Sequence, residues 1–166
     1  MNLLVDDRVR EDEAAVVRRY TASFPVKVGE LATELGIKVI RAPLPSKISG
    51  LIRPSDEAPS GFEIRVNKYE VPERQRFTVA HEIAHYLLHR NEIGAGLVDS
   101  IMYRSTLTSR KETEANQLAA DIVMPAKAIS RELERFGGRR TDEVIEELAN
   151  IFKVSISAMK VRLGVA

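Results

Sequence analysis

The run His81-Glu82-Ile83-Ala84-His85 lies within residues 73–90, where Phe77, Ala80, Ile83, Ala84, Leu87 and Leu88 recur at helical spacing behind Pro72. Residues four apart on a helix differ by about 40° around the axis and about 6 Å along it, so His81 and His85 present their rings side by side. All three histidines of the chain, these two and His89, fall in this one stretch. Two imidazoles so placed can reach one metal ion, and Glu82 stands where a carboxylate can take a proton from water. H-E-x-x-H on a helix is the pattern of zinc-dependent hydrolases.

On a helical wheel with Ala80 at 0°, the apolar positions cluster within about 80° of it, His81 and His85 fall at about 100° and 140°, and Glu82 at about 200°. The histidines flank the buried stripe, and Glu82 is expected to turn further toward solvent. A catalytic zinc site takes three protein ligands and keeps one position open. His89 stands about 12 Å along the axis from His81, too far for both to reach an ion about 2 Å from each nitrogen. Three readings of it stay open: a partner behind a ligand, a cleft-lining residue that touches substrate or an oxyanion, or a plain surface histidine. The chain has no cysteine, so the third ligand is sought among carboxylates.

The next helical stretch, residues 110–124, offers Glu112, Glu114 and Asp121. With Ala115 at 0°, the stripe of Leu118, Ala119, Ile122 and Val123 centres near 10°, Glu112 falls at about 60°, Asn116 at about 100°, and Glu114 and Asp121 near −100° and −120°. Glu112 alone borders the stripe on the flank of Asn116. It is the candidate third ligand, or else an acid that favours the positive end of its helix. Glu114 is expected on the exposed face.

The rest of the chain frames these two helices. Residues 6–20 read as an exposed N-terminal helix, and residues 28–36 as a short amphipathic one ended by Gly36. Strands are expected at 37–41, 48–52 and 62–67; the turn-rich segment 54–61 joins the last two as a hairpin. Phe62, Ile64 and Val66 alternate with Glu63 and Arg65, as in a sheet with one covered face. This strand is expected to bind an extended substrate by β-augmentation. Residues 91–109 read as a loop, in which Tyr103 and Arg104 are candidates for contacting an oxyanion or substrate. Tyr86 points away from the histidines on the wheel. A helix follows Pro125 to about residue 136, Gly137-Gly138 breaks the chain, and residues 141–163 read as two short helices around Lys153-Val154-Ser155.

At 166 residues and 44% hydrophobic content the chain suits one domain, residues 1–166, with the helix-turn-helix-like pair 141–163 packed on it. Twenty-five Lys and Arg against 24 Asp and Glu provide no electrostatic case for nucleic acid, and the last helix offers only Lys160 and Arg162 to DNA. No apolar run approaches a membrane span, and the start has neither the basic nor the apolar region of a secretory signal. A cytoplasmic protein with no membrane partner is expected.

The run Arg74-Gln75-Arg76-Phe77-Thr78-Val79-Ala80-His81-Glu82-Ile83-Ala84-His85-Tyr86-Leu87-Leu88-His89, followed by Glu112-Thr113-Glu114-Ala115-Asn116-Gln117-Leu118-Ala119-Ala120-Asp121-Ile122-Val123-Met124-Pro125, resembles the ImmA/IrrE metallopeptidases. Their signature is an H-E-x-x-H helix and an E-x-x-A-N-x-F-A-x-x-L-L-M-P helix. Leu118 stands here for the phenylalanine, and Ile122-Val123 for the leucine pair. The resemblance implies a gluzincin-like site with His81, His85 and Glu112 on Zn2+ and Glu82 as catalytic base. Asn116 would hydrogen-bond a ligand histidine from behind.

Together these readings predict an α+β zincin-like domain, a small, mostly antiparallel sheet beside a helical body, acting as a zinc endopeptidase. The resemblance implies a cytoplasmic regulatory protein as substrate, often a helix-turn-helix repressor encoded nearby. Two other readings stand beside it: a non-catalytic, metal-stabilised regulator or antitoxin-like module, and a DNA-binding regulator.

Overall fold

A computed structural model describes residues 6–94, 97–99 and 109–165. The chain opens with helices α1 (Glu11–Thr21) and α2 (Val28–Glu34), followed by strands β1 (Lys38–Ala42), β2 (Gly50–Pro54) and β3 (Phe62–Asn67). Helix α3 (Pro72–Leu88) carries the histidines; a 3-10 turn (Arg90–Glu92) and strand β4 (Leu97–Asp99) come next. The remainder is helical: α4 (Ser109–Val123), α5 (Ala126–Arg135), α6 (Asp142–Phe152) and α7 (Ile156–Leu163). This is the expected α+β fold of the zincin kind. Among the described residues no helix is long and apolar enough to cross a membrane.

The sheet runs β1-β3-β2-β4, with β1 parallel to β3 and the other two pairings antiparallel. The hairpin of β2 and β3 forms as the turn-rich segment requires. Strand β1 then fills the free edge of β3, pairing Ile40 with Arg65. Both edges of β3 are therefore taken, which overturns the expectation that Phe62–Asn67 binds substrate by β-augmentation. The second correction is β4, three residues inside the stretch read as a loop; so short a strand has no alternation to betray it.

Ile52, Ile64 and Val66 turn one face of the sheet toward α3 and are buried. On β3, Glu63 and Arg65 share the opposite face, and Arg53 lies across from Glu63 in register. Glu63 is buried and receives Nε–H bonds from Arg53 (3.0 Å) and Arg65 (2.8 Å), a cross-strand charge cluster that covers the outer face. The Asn67 amide, also buried, donates to the carbonyls of Leu44, Pro45 and Ile48. It holds the loop that delivers Gly50 to the metal-site end of β2.

Helix α3 is buried on every side from Thr78 to Leu88, because the sheet, α2 and α4 all pack on it. Ala115, Leu118, Ala119 and Ile122 of α4 are fully buried, and small residues at 115 and 119 let a helix approach closely. At the C-terminal end, Thr141 and Ser155 cap α6 and α7 by accepting N–H bonds from Val144 and Ala158. Lys153 ends α6 in the left-handed conformation (φ 57°), making the tight turn read from the sequence. Phe152 stacks on Phe24 at 4.7 Å, and Arg76 of α3 donates to the Lys153 carbonyl at 3.2 Å. Arg162 donates to the Met124 carbonyl (2.7 Å) and pairs with Asp121 (2.9 Å), so it turns toward α4.

Candidate metal centre

The wheel brought His81, His85 and Glu112 to the margin of two helices, and the packing of α3 on α4 brings them together. His81 Nε2 and His85 Nε2 lie 3.1 Å apart; Glu112 Oε2 is 3.4 Å from the first and Glu112 Oε1 3.1 Å from the second. Around a tetrahedral zinc with bonds of about 2.1 Å, neighbouring ligand atoms are about 3.4 Å apart, so the donor atoms have the spacing one zinc needs. The donor set, two imidazoles and a carboxylate with no thiolate, could hold a metal ion and is of the kind that zinc takes. His85 is fully buried, His81 nearly so, and Glu112 is the ligand candidate most open to solvent.

Glu82 is fully buried, against the expectation that it turns toward solvent. The wheel assumed a single covered face, whereas β2 closes the other. A Cβ on Gly50 would sit 3.7 Å from Glu82 Oε2, so the bare backbone of β2 makes room for this carboxylate beside the histidines. A glycine inside a strand is the signal for such a close approach.

His89 is buried as well and does not line the cleft, which removes it as an oxyanion or substrate contact. Its Nδ1 lies 3.0 Å from His85 Nδ1 and its Nε2 3.2 Å from Glu114 Oε1. Glu114 is thus no free surface acid: Arg8 reaches it through two N–H groups, at 2.6 and 3.1 Å. The Arg8 guanidinium holds the Glu114 carboxyl down to about 2, and burial pushes the His89 imidazole below its ordinary value, toward the neutral form. The spacing of His85 and His89 on one helix was a signal for their contact; nothing in the sequence announces Arg8, whose partner is 106 positions away. Asn116 is exposed, and among the described residues no hydrogen bond joins it to a histidine, so the place behind a ligand foreseen for it belongs to His89. The Tyr86 hydroxyl donates to Glu13 at 2.7 Å on the far side of α3. Tyr103 and Arg104 lie outside the described residues.

His81, Glu112 and Asn116 line a groove of about 1190 Å³. Arg74 and Phe77 of α3 form one wall, and Glu147 and Asn150 of α6 with Ile156 and Val161 of α7 form the other. Val71, Ile156 and Val161, all lining it, are among the few large apolar side chains left exposed. The lining is mixed, with charged Glu73, Arg74 and Glu147 beside apolar Val71, Phe77 and Ile156.

Residues 32–164, with the whole site inside them, match the family described as the IrrE N-terminal-like domain, a peptidase family. The chain belongs to that family. Two relatives, each named radiation response metalloprotease IrrE, come from Deinococcus radiodurans and Deinococcus deserti. The first is 39% identical over 95 residues, 57% of this chain and 28% of that protein. The second is 37% identical over 100 residues, 60% of this chain and 35% of that protein. The chain thus spans about a third of the length of these relatives. A solved structure of a Mycobacterium tuberculosis transcriptional regulator superposes with a TM-score of 0.59 over 93% of this chain and 47% of that one, at 18% identity, and shares the fold.

Proposed function

We propose that the chain is a zinc endopeptidase that cleaves a regulatory protein in the cytoplasm, with a helix-turn-helix repressor as the leading substrate. One observation carries this reading: three candidate ligand atoms meet at zinc spacing beside the Glu82 carboxylate, and two of the three residues line a groove of about 1190 Å³. His81, His85 and Glu112 would hold the zinc. When bound, zinc supplies a Lewis acid that polarises the scissile carbonyl and acidifies water.

The protein's own residues do the rest. The groove walls hold the peptide, and burial of His81, Glu82 and His85 keeps bulk water from the reacting bond. Glu82 takes a proton from the attacking water and then gives it to the leaving amine, acting first as general base and then as general acid. A regulator that kept the metal only for stability would have no use for a carboxylate at position 82. The test is incubation of the zinc-loaded protein with helix-turn-helix repressors from the same organism. The parent cleaves at a discrete bond and Glu82→Gln does not; cleavage by neither, or by both equally, overturns the proposal.

A further inference from the structure

Behind the metal site runs a line of hydrogen-bonding groups that ends at the surface. His85 Nδ1 faces His89 Nδ1 at 3.0 Å, His89 Nε2 faces Glu114 Oε1 at 3.2 Å, and Arg8 grips both Glu114 oxygens. Asp6 in turn accepts two bonds from the Arg8 side chain, at 2.8 and 3.0 Å. Both histidines are fully buried, so each ring N–H needs a protein acceptor.

When both rings are neutral, the direction of each proton follows from the outer end. Arg8 can only donate, so Glu114 is held as an acceptor. An acceptor at Glu114 requires the hydrogen of neutral His89 to sit on Nε2, which leaves a lone pair on His89 Nδ1. That lone pair takes the N–H of His85 at Nδ1. His85 then directs the lone pair of Nε2 toward His81 Nε2 and Glu112 Oε1, each 3.1 Å away.

We propose that Arg8, Glu114 and His89 are positioning residues that fix the His85 tautomer, so that its Nε2 lone pair is already aimed at the metal before the metal arrives. None of the three belongs to the candidate ligand group or lines the groove. Asp6 and Arg8 precede the family-matched residues 32–164, so the N-terminal segment of this chain supplies the outer anchor of a device whose inner end is a ligand. The sequence of donors also separates the two acids of α4: Glu112 is a ligand and Glu114 sets a proton behind one.

The inference rests on the metal-site reading above, and its test is kept apart from peptide cleavage. Long-range proton–nitrogen correlation spectra of the metal-free parent report each imidazole tautomer. His85 should carry its hydrogen on Nδ1 and His89 on Nε2; a His85 hydrogen on Nε2 overturns the relay. In Glu114→Ala the His89 and His85 tautomers should become mixed, and zinc affinity measured by chelator competition should fall about 10- to 100-fold. Glu114→Gln, whose amide oxygen can still accept from His89 and Arg8, should recover most of that loss. Equal zinc affinity in parent and a folded Glu114→Ala overturns the proposal. If the parent binds no zinc, the metal reading fails and the tautomers of the parent alone decide the relay.

Discussion

Replacing Gly50 with alanine puts one methyl group where the backbone of β2 lies close against the motif helix. An ideal Cβ there would lie 2.5 Å from Thr78 Cγ2 and 2.8 Å from the Arg65 carbonyl oxygen. Carbon atoms in good contact are about 3.5 to 4.0 Å apart, so strand and helix must part by about 1 Å or Thr78 must leave its rotamer. The Arg65 oxygen belongs to the central strand and cannot move without disturbing the ladder. Overpacking costs about 1–3 kcal/mol, and two obstacles, one of them backbone, put this site at the upper end. About 3 kcal/mol corresponds to a fall of about 6–12 °C in Tm for a chain of this length. Thermal and urea unfolding should be compared for the parent, Gly50→Ala, Thr78→Ser and the double variant, all in excess chelator so that metal linkage does not contribute. Thr78→Ser removes the colliding methyl group, so the double variant should regain about 1 kcal/mol relative to the sum of the two singles. A Gly50→Ala protein within about 0.5 kcal/mol of the parent, or strict additivity, would refute the described contact of β2 with α3.

Glu82→Gln should retain zinc and reduce peptide turnover by at least about 10²-fold, read from initial rates on the cleaved substrate. Glu63→Gln tests the outer face of the sheet. Arg65, with Ser55 and Arg53, holds the Glu63 carboxyl below its ordinary 4.5 against the opposing effect of burial. Its stabilisation is therefore complete above about pH 4.5 and lost as pH falls through the lower folded value. The variant should be about 1 kcal/mol less stable than the parent at pH 7, and the gap should narrow in urea melts as pH falls below the ordinary 4.5 and through the lower folded value; a gap that widens in acid excludes the arrangement. Tyr86→Phe takes a hydrogen bond from the buried Glu13 carboxylate and leaves it Arg90, a loss of about 1–2 kcal/mol in the same assay; no change would mean that the hydroxyl bond does not stabilise the fold.

What could be read from the residues was whatever depends on local period. The motif helix and α4 announced themselves by apolar spacing, the hairpin by its turn residues, and the C-terminal pair by the break around Lys153. The same wheels placed His81, His85 and Glu112 at helix margins, and the packing joins those margins. What escaped depends on partners distant in sequence. Glu82 was given a solvent face, and His89 was left open among three places, because a wheel cannot know that β2, α2 and α4 together surround α3. Glu114 was assigned to the surface, yet its environment is made by Arg8, near the other end of the chain. Strand β3 looked like an edge because its second neighbour, β1, pairs with it in parallel from before the hairpin.

The central claim is that His81, His85 and Glu112 form one zinc site in which Glu82 is not a ligand. Elemental analysis of the parent, Glu82→Gln and Glu112→Ala after equilibrium dialysis against the same free zinc concentration tests it most directly. About one zinc per chain is predicted for the parent and for Glu82→Gln, with a small fraction of that for Glu112→Ala. A full equivalent retained by Glu112→Ala, or zinc lost from Glu82→Gln, would contradict it.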